Sequence, residues 1–207
     1  SNKQRTKLSP KVVDKTAKRQ EILDAALRVF ARKGFKNTKM IDIAEEAGIG
    51  KGTIYEYFRH KDEMLLAAFA NYIQQGDAVV KAVLASPRSP VDKIQEILRG
   101  TVEVYGRDPE VARVFFDFWA VGMQNAEQPE IDFRPIYARY RALSRELLAQ
   151  AVAAGQVRGT ISEHTASILI GVVEGLFLQW IVDPSAFSLQ DTVAGVIDTL
   201  FHGILER

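Results

Sequence analysis

An all-α fold is what this sequence predicts, and three observations predict it. Apolar residues recur at three- and four-residue spacings along most of the chain, no stretch alternates apolar and polar residues with period two, and glycines and prolines sit where the helical patterns end. With 207 residues, 47% hydrophobic and 26% charged, the chain is long enough to bury a sizeable core, and disordered and collagen-like classes are excluded.

Residues 1–15 read as a basic, flexible arm, polar and interrupted by Pro10, with helix starting near Thr16. Ile22, Leu23, Ala26, Leu27 and Phe30 form the apolar stripe of a first helix, which Gly34 ends as its C′ residue. Thr38 is a plausible N-cap for a second helix over 39–47, with Met40, Ile43 and Ala44 inward and Gly48 as its stop. A third short helix, over about 50–58, follows at once. A longer pattern from Lys61 through Val83 is broken by Pro87 and Pro90 and reads as one connector helix. Helices over 91–105 and 109–123, a loop at 124–129 and a long amphipathic helix over 131–154 closing at Gly155 come next. Residues 164–181 are apolar on most of their circumference, with Gly171 and Gly175 spaced for close approach of another helix, so this element needs cover on more than one side. A last helix carries Val193, Val196, Ile197, Leu200, Phe201 and Ile204 on one stripe, behind Ser188 and Asp191 at near-capping-box spacing.

Composition removes several functions. There is no cysteine, so no disulfide framework or thiolate metal site forms, and the three histidines, His60, His164 and His202, make no ligand cluster. Neither a metal nor a cofactor is expected. Ser167, Glu174 and Gln179 interrupt the greasiest stretch, 166–182, so no membrane span is expected, and no signal-peptide core is visible. The chain begins Ser-Asn rather than with Met, which reads as a cloning remnant, and those two residues carry no argument. The cytoplasm is the expected location. The net charge of +1 conceals an asymmetry: residues 1–61 hold 15 Lys and Arg against seven Asp and Glu, or +8, and the remainder holds −7. A basic lobe on a near-neutral protein is the electrostatic footprint of nucleic-acid binding.

The second and third helices, joined by Ala47-Gly48-Ile49, have the dimensions of a helix-turn-helix, whose second helix presents its first turn to base edges. Lys51 reaches a guanine edge or a phosphate, Gly52 lets the backbone approach the duplex, and Thr53 offers a hydroxyl or a methyl. Ile54 and Phe58 supply the inward face, so Tyr55 and Tyr57 project toward solvent or phosphate. Thr38 and Lys61, at helix N-termini, are placed as phosphate anchors, with Lys39 and His60 beside them.

The stretch 19–61 resembles the DNA-binding domain of the tetracycline-repressor (TetR) family of bacterial transcription regulators. The matching residues are Ile22, Ala25, Ala26, Phe30 and Gly34-Phe35, then Thr38, Ile43-Ala44 and Ala47-Gly48-Ile49. They continue through Lys51-Gly52-Thr53-Ile54-Tyr55, Tyr57-Phe58 and Lys61. Lys39 departs from the commonest pattern, where a small hydroxyl residue is frequent, and either adds a phosphate contact or alters operator preference. The resemblance implies a three-helix helix-turn-helix domain, taken here as 16–76, followed by a six-helix ligand-binding and dimerisation domain, 77–207. It also implies a homodimer on double-stranded, palindromic operator DNA, with its last two helices forming a four-helix bundle across the two-fold axis. A small, apolar or aromatic effector in a cavity between the fourth and eighth helices would tilt the fourth helix and release the operator, which is the mode of a repressor; the sequence leaves activation open.

Aromatic residues nominate the effector site. Phe69 and Tyr72 on the connector, Phe116 and Trp119, and Tyr137 and Phe177 form the candidate wall, with Arg113, Arg141 or Glu174 to orient a ligand. An acid in so apolar a helix needs a partner or a cationic ligand; equally, Glu174 is hydrogen-bonded structurally or sits at a dimer seam. The dimer-interface candidates are Leu169, Val173, Leu176 and Trp180, then Val193, Val196, Ile197, Leu200, Phe201 and Ile204, against the simpler reading that these helices pack inside the monomer. Two other functions compete. A helical ligand- or protein-binding module without a DNA role would carry an acidic or scrambled recognition helix, and an enzyme would show paired carboxylates with a Ser or His partner, a His-rich metal spacing such as HExxH, a phosphate loop or a dinucleotide fingerprint. The sequence has none of these.

Overall fold

The computed structural model describes residues 14–124, 132–157, 161–162 and 164–204, without the side chains of 121–124 and 202–204. Among the described residues the order is α1 Lys15–Lys33, α2 Met40–Glu46, α3 Lys51–Tyr57, α4 Lys61–Leu84, α5 Pro90–Tyr105, α6 Pro109–Gln124, α7 Arg134–Ala153, α8 Thr165–Val182 and α9 Leu189–Ile204. No strand occurs among them. The contacts divide the chain into two units between Ala68 and Phe69, so α4 contributes its first turns to one and the rest to the other. The division falls before the expected boundary at 76, because Phe69, Tyr72, Ile73 and Gly76 already face the interior of the second unit.

The first unit is three helices around Ile22, Phe30, Ile43, Ile54, Phe58 and Met64, each no more than 1% exposed. Asp14 caps α1 by accepting the Thr16 and Ala17 amides, and Gly34, at φ 77°, closes it while its amide donates to the Phe30 carbonyl. Gly48, at φ 63°, makes the turn after α2. Both backbones are left-handed, a conformation that glycine adopts at least cost. The arm expected at 1–15 lies outside the described residues as far as position 13. Thr38 is not the N-cap of α2: Lys39 holds that position. The Thr38 side chain is 2% exposed, and its hydroxyl donates to the Gly34 carbonyl at 2.8 Å, tying the turn to the end of α1.

In the second unit α5, α7, α8 and α9 surround a core that includes Leu147, Leu169, Trp180, Val193 and Phe201. Ser89 caps α5, with Pro90 in its first turn. α7 starts at Arg134 rather than at 131, since the Asp132 carboxylate accepts the Arg134 amide and Pro135 occupies the first turn; Ile131 lies outside the described residues. α8 corrects one expectation. By length and composition it is apolar enough to cross a membrane, because only one of its three polar interruptions, Glu174, is charged. Its apolar surface is divided between two opposite faces. Ala166, Leu169, Val173 and Trp180 are buried in the unit's own core, whereas Ile168, Leu178 and Val182 are 53%, 43% and 73% exposed.

Candidate nucleic-acid interface and effector cavity

The recognition segment begins at Gly50, the N-cap of α3, and is held inward by Ile54 and Phe58. Arg19 stacks on the outer face of Phe58, its guanidinium carbon 4.4 Å from the ring centre. With that face occupied, Lys51 and Gly52 are exposed, Tyr55 is 47% exposed, and Thr53 and Tyr57 are half-buried. Among the described residues no atom beyond its own helix backbone and flanking residues lies within 4 Å of where a Cβ on Gly52 would stand, which leaves the backbone open to an approaching surface.

Two of the expected anchors are committed elsewhere. The Lys61 ammonium donates to the carbonyls of Phe35, Lys36 and Thr38 at 2.6, 3.1 and 3.0 Å, and lies 4.6 Å from the centre of the Phe35 ring. An ammonium has three hydrogens, so these carbonyls use all of them. His60 accepts the Glu63 amide at 3.2 Å on Nδ1 while Glu63 reaches back to the Arg59 amide at 2.9 Å, a reciprocal cap at the start of α4. Two of the seven acidic residues already counted in the +8 of the N-terminal stretch are paired with three of its cations. Glu46 receives Arg28 and Arg32, each at 2.9 Å, and Asp42 receives Lys33 at 2.8 Å. These cations hold both carboxyls below the usual carboxylate range; for Asp42 the Lys39 amide adds to the effect. Lys36, Lys39, Lys51 and Arg59 are exposed and form no ion pair among the described residues.

The second unit contains a cavity of about 270 Å³. Of the expected effector residues, Phe69, Tyr72, Trp119, Tyr137, Glu174 and Phe177 line it. Arg113, Phe116 and Arg141 do not. Arg113 donates to the Ile181 carbonyl at 2.8 Å, closing the C-terminal end of α8, and Phe116 packs on the main core. Arg141 falls one position round α7 from the lining residue Tyr140. Phe133, Tyr140 and Ser144 were legible by extending Tyr137 at helical spacing along α7; Tyr105, the last residue of α5, gave no such signal.

Among the described residues eight aromatic side chains reach this cavity, and Glu174 is the one charged residue that lines it. The Tyr137 hydroxyl donates to the Glu174 carboxylate. Glu174 is exposed, so it stands where the cavity meets solvent. The Tyr72 hydroxyl donates to the Tyr105 carbonyl at 3.1 Å, and the Tyr105 hydroxyl is buried without a hydrogen-bond partner among the described residues. Burial raises the phenols of Tyr72, Tyr105, Tyr137 and Tyr140 above the ordinary tyrosine value, so all four remain protonated.

Six of the expected interface residues, Leu169, Val173, Trp180, Val193, Ile197 and Phe201, are instead buried inside the single chain, and Leu176 and Leu200 pack against them half-buried. Val196 is half-buried, and the Ile204 side chain is outside the described set. The expected stripe is the most apolar face, and that face turns to the chain's own core. The bare face of α8 is Ile168, Gly171, Gly175, Leu178 and Val182, at alternating spacings of three and four. Among the described residues no atom beyond the helix's own backbone and the flanking residues lies within 4 Å of a Cβ built on either glycine, so no described helix of the chain makes the close approach expected there.

A family model described as bacterial regulatory proteins, tetR family, matches residues 22–68, and one described as BetI-type transcriptional repressor, C-terminal, matches 90–205, more than half of the chain. Similar proteins include the HTH-type transcriptional regulator BetI of Serratia proteamaculans, 26% identical, with 91% of this chain and 93% of that protein aligned. The HTH-type transcriptional regulator TtgR of Pseudomonas putida is also 26% identical, over 87% of this chain and 88% of that one. Among solved structures, a putative transcriptional regulator from Saccharomonospora viridis in complex with choline matches with a TM-score of 0.75 at 24% identity, covering 93% of this chain and 100% of that one. At that identity the likeness is one of fold.

Proposed function

The chain belongs to the tetR family of bacterial regulatory proteins and is a DNA-binding transcriptional regulator that responds to a small molecule; on that premise we propose that it is a homodimeric repressor whose effector is a small organic cation with an apolar body. The observation that carries the effector class is the cavity's composition among the described residues: eight aromatic walls with no cationic lining residue, and one carboxylate, Glu174, at the mouth. Ring faces attract a desolvated cation by about 0.5–2 kcal/mol each, and a carboxylate at the entrance raises the local cation concentration. The choline in the Saccharomonospora viridis structure agrees with this chemistry.

On the DNA side, Lys51, Gly52, Thr53 and Tyr55 read bases, and Lys39, Tyr57 and Arg59 grip phosphates. Thr38, His60 and Lys61 hold the frame. Two copies pair through the bare face of α8 and recognise a palindromic operator in the cytoplasm. The test is gel-shift titration with operator selected by the wild-type protein from random duplexes. Choline or benzyltrimethylammonium releases the DNA, the uncharged isostere 3,3-dimethylbutan-1-ol does not, and Glu174→Gln raises the cation concentration needed at least tenfold. Equal release by the neutral isostere would sink the cation assignment, and no saturable binding of any duplex would sink the repressor.

A further inference from the structure

α4 and α5 are keyed to each other by a glycine on each. At Gly100 of α5 a Cβ would stand 2.5 Å from Val79 Cγ1 of α4, and at Gly76 of α4 a Cβ would stand 2.0 Å from the Tyr105 hydroxyl of α5 and 2.7 Å from its Cζ. Neither position admits a side chain without displacement. Val79 is a peg in α5, and Tyr105 is a peg in α4. The pairs run in antiparallel order, 76 with 105 and 79 with 100, and the Tyr72 hydroxyl on the same face of α4 donates to the Tyr105 carbonyl. One peg would leave α4 free to pivot, whereas two reciprocal pegs fix both its roll and its axial register.

We propose that the Val79–Gly100 key is a positioning device for operator binding, setting the resting attitude of α4. α4 is one continuous helix from Lys61 to Leu84, so roll or slip at Val79 is carried along it to the residues it gives the DNA-reading unit. Neither Val79 nor Gly100 lines the cavity or belongs to the recognition segment, and a role in operator affinity would therefore be exerted through α4 alone. Close-packed contacts of this kind answer strain by shifting as units, and a methyl at Gly100 converts directly into helix displacement. The inference rests on the reading of the chain as an operator-binding protein.

The experiment measures operator affinity and its salt dependence, without effector, for wild type, Gly100→Ala, Val79→Ala and the double variant. Gly100→Ala is expected to weaken operator binding at least fivefold at unchanged log–log salt slope, since no phosphate contact is touched. Val79→Ala in the same chain removes the peg that the new methyl strikes, and returns affinity to within twofold of wild type. Gly100→Ala within twofold of wild type, or a double variant no better than Gly100→Ala, overturns the proposal. Should Gly100→Ala fail to fold, Val79→Ala alone decides: an emptied notch shifts affinity at least threefold, and a smaller shift overturns the key. A wild-type chain that binds no operator refutes the DNA-regulator reading instead, so the two failures are told apart.

Discussion

The Lys61 ammonium closes the corner between α1 and α2 by donating to three carbonyls at the exit from α1. A phosphate would have to displace one of them, and at the partly buried carbonyls of Phe35 and Thr38 the loss of the ammonium costs about 1–3 kcal/mol. Lys51 has no such commitment. Lys61→Met is therefore expected to lower thermal stability and operator affinity together while leaving the salt slope of binding unchanged. Lys51→Ala lowers affinity and reduces that slope by about one ion. The same loss of slope in both variants would return Lys61 to the phosphate. The thermal side is read by circular dichroism, the slope by titration across a series of salt concentrations.

At the scale of the element, the α1–α2 pair is joined by the two carboxylates that take up the basic residues at the end of α1. Both folded-state pKa values are depressed, so their stabilisation is present at neutral pH, persists above the ordinary carboxylate range, and is lost as pH falls through the lowered folded values. Stability of the first unit should decline on acidification below about pH 4. Glu46→Gln is destabilised at pH 7 and shows a shallower acid decline, measured by thermal melts across the acid range; a curve parallel to wild type would contradict this. These pairs also explain what could be read beforehand. Helices were legible because apolar spacing is local, and Gly34 and Gly48 marked ends because left-handed backbone favours glycine. Thr38 resembles a cap in sequence because it lies one residue before the N-cap Lys39, and a hydroxyl there bonds back to the Gly34 carbonyl instead of to the first amides of α2. The partners of Glu46 lie 14 and 18 residues away, beyond any periodic signal. Along α7 the aromatic pattern nominates Tyr137 and charge nominates Arg141, but Arg141 lies one residue beyond the lining residue Tyr140, a step that turns its side chain about 100° from the cavity.

The whole molecule depends on an element with two apolar faces. α8 buries Leu169, Val173 and Trp180 within the chain and leaves Ile168, Leu178 and Val182 bare, with glycines between them that admit a second helix at close range. The sequence stripe located the helix, and its α8 residues Leu169, Val173 and Trp180 are buried in the chain's own core, which leaves the opposite face for the proposed pairing. Leu178→Lys should convert the dimer to monomer in sedimentation velocity, with the secondary structure retained and operator affinity at least tenfold lower. Leu200→Lys, on the inner side, should unfold the domain. A dimeric Leu178→Lys would place the interface elsewhere.

The bare face of α8 has a consequence in mass action. On the proposed pairing, an apolar stripe covered by a second copy would tie folding to abundance, because association adds a concentration-dependent increment to stability. Newly made chains at low copy number expose that stripe, and such surface invites degradation or wrong pairing. The protein's own concentration would thus gate its appearance on DNA before any effector arrives: below the pairing threshold promoters stay open, and above it they close within a narrow range of copy number.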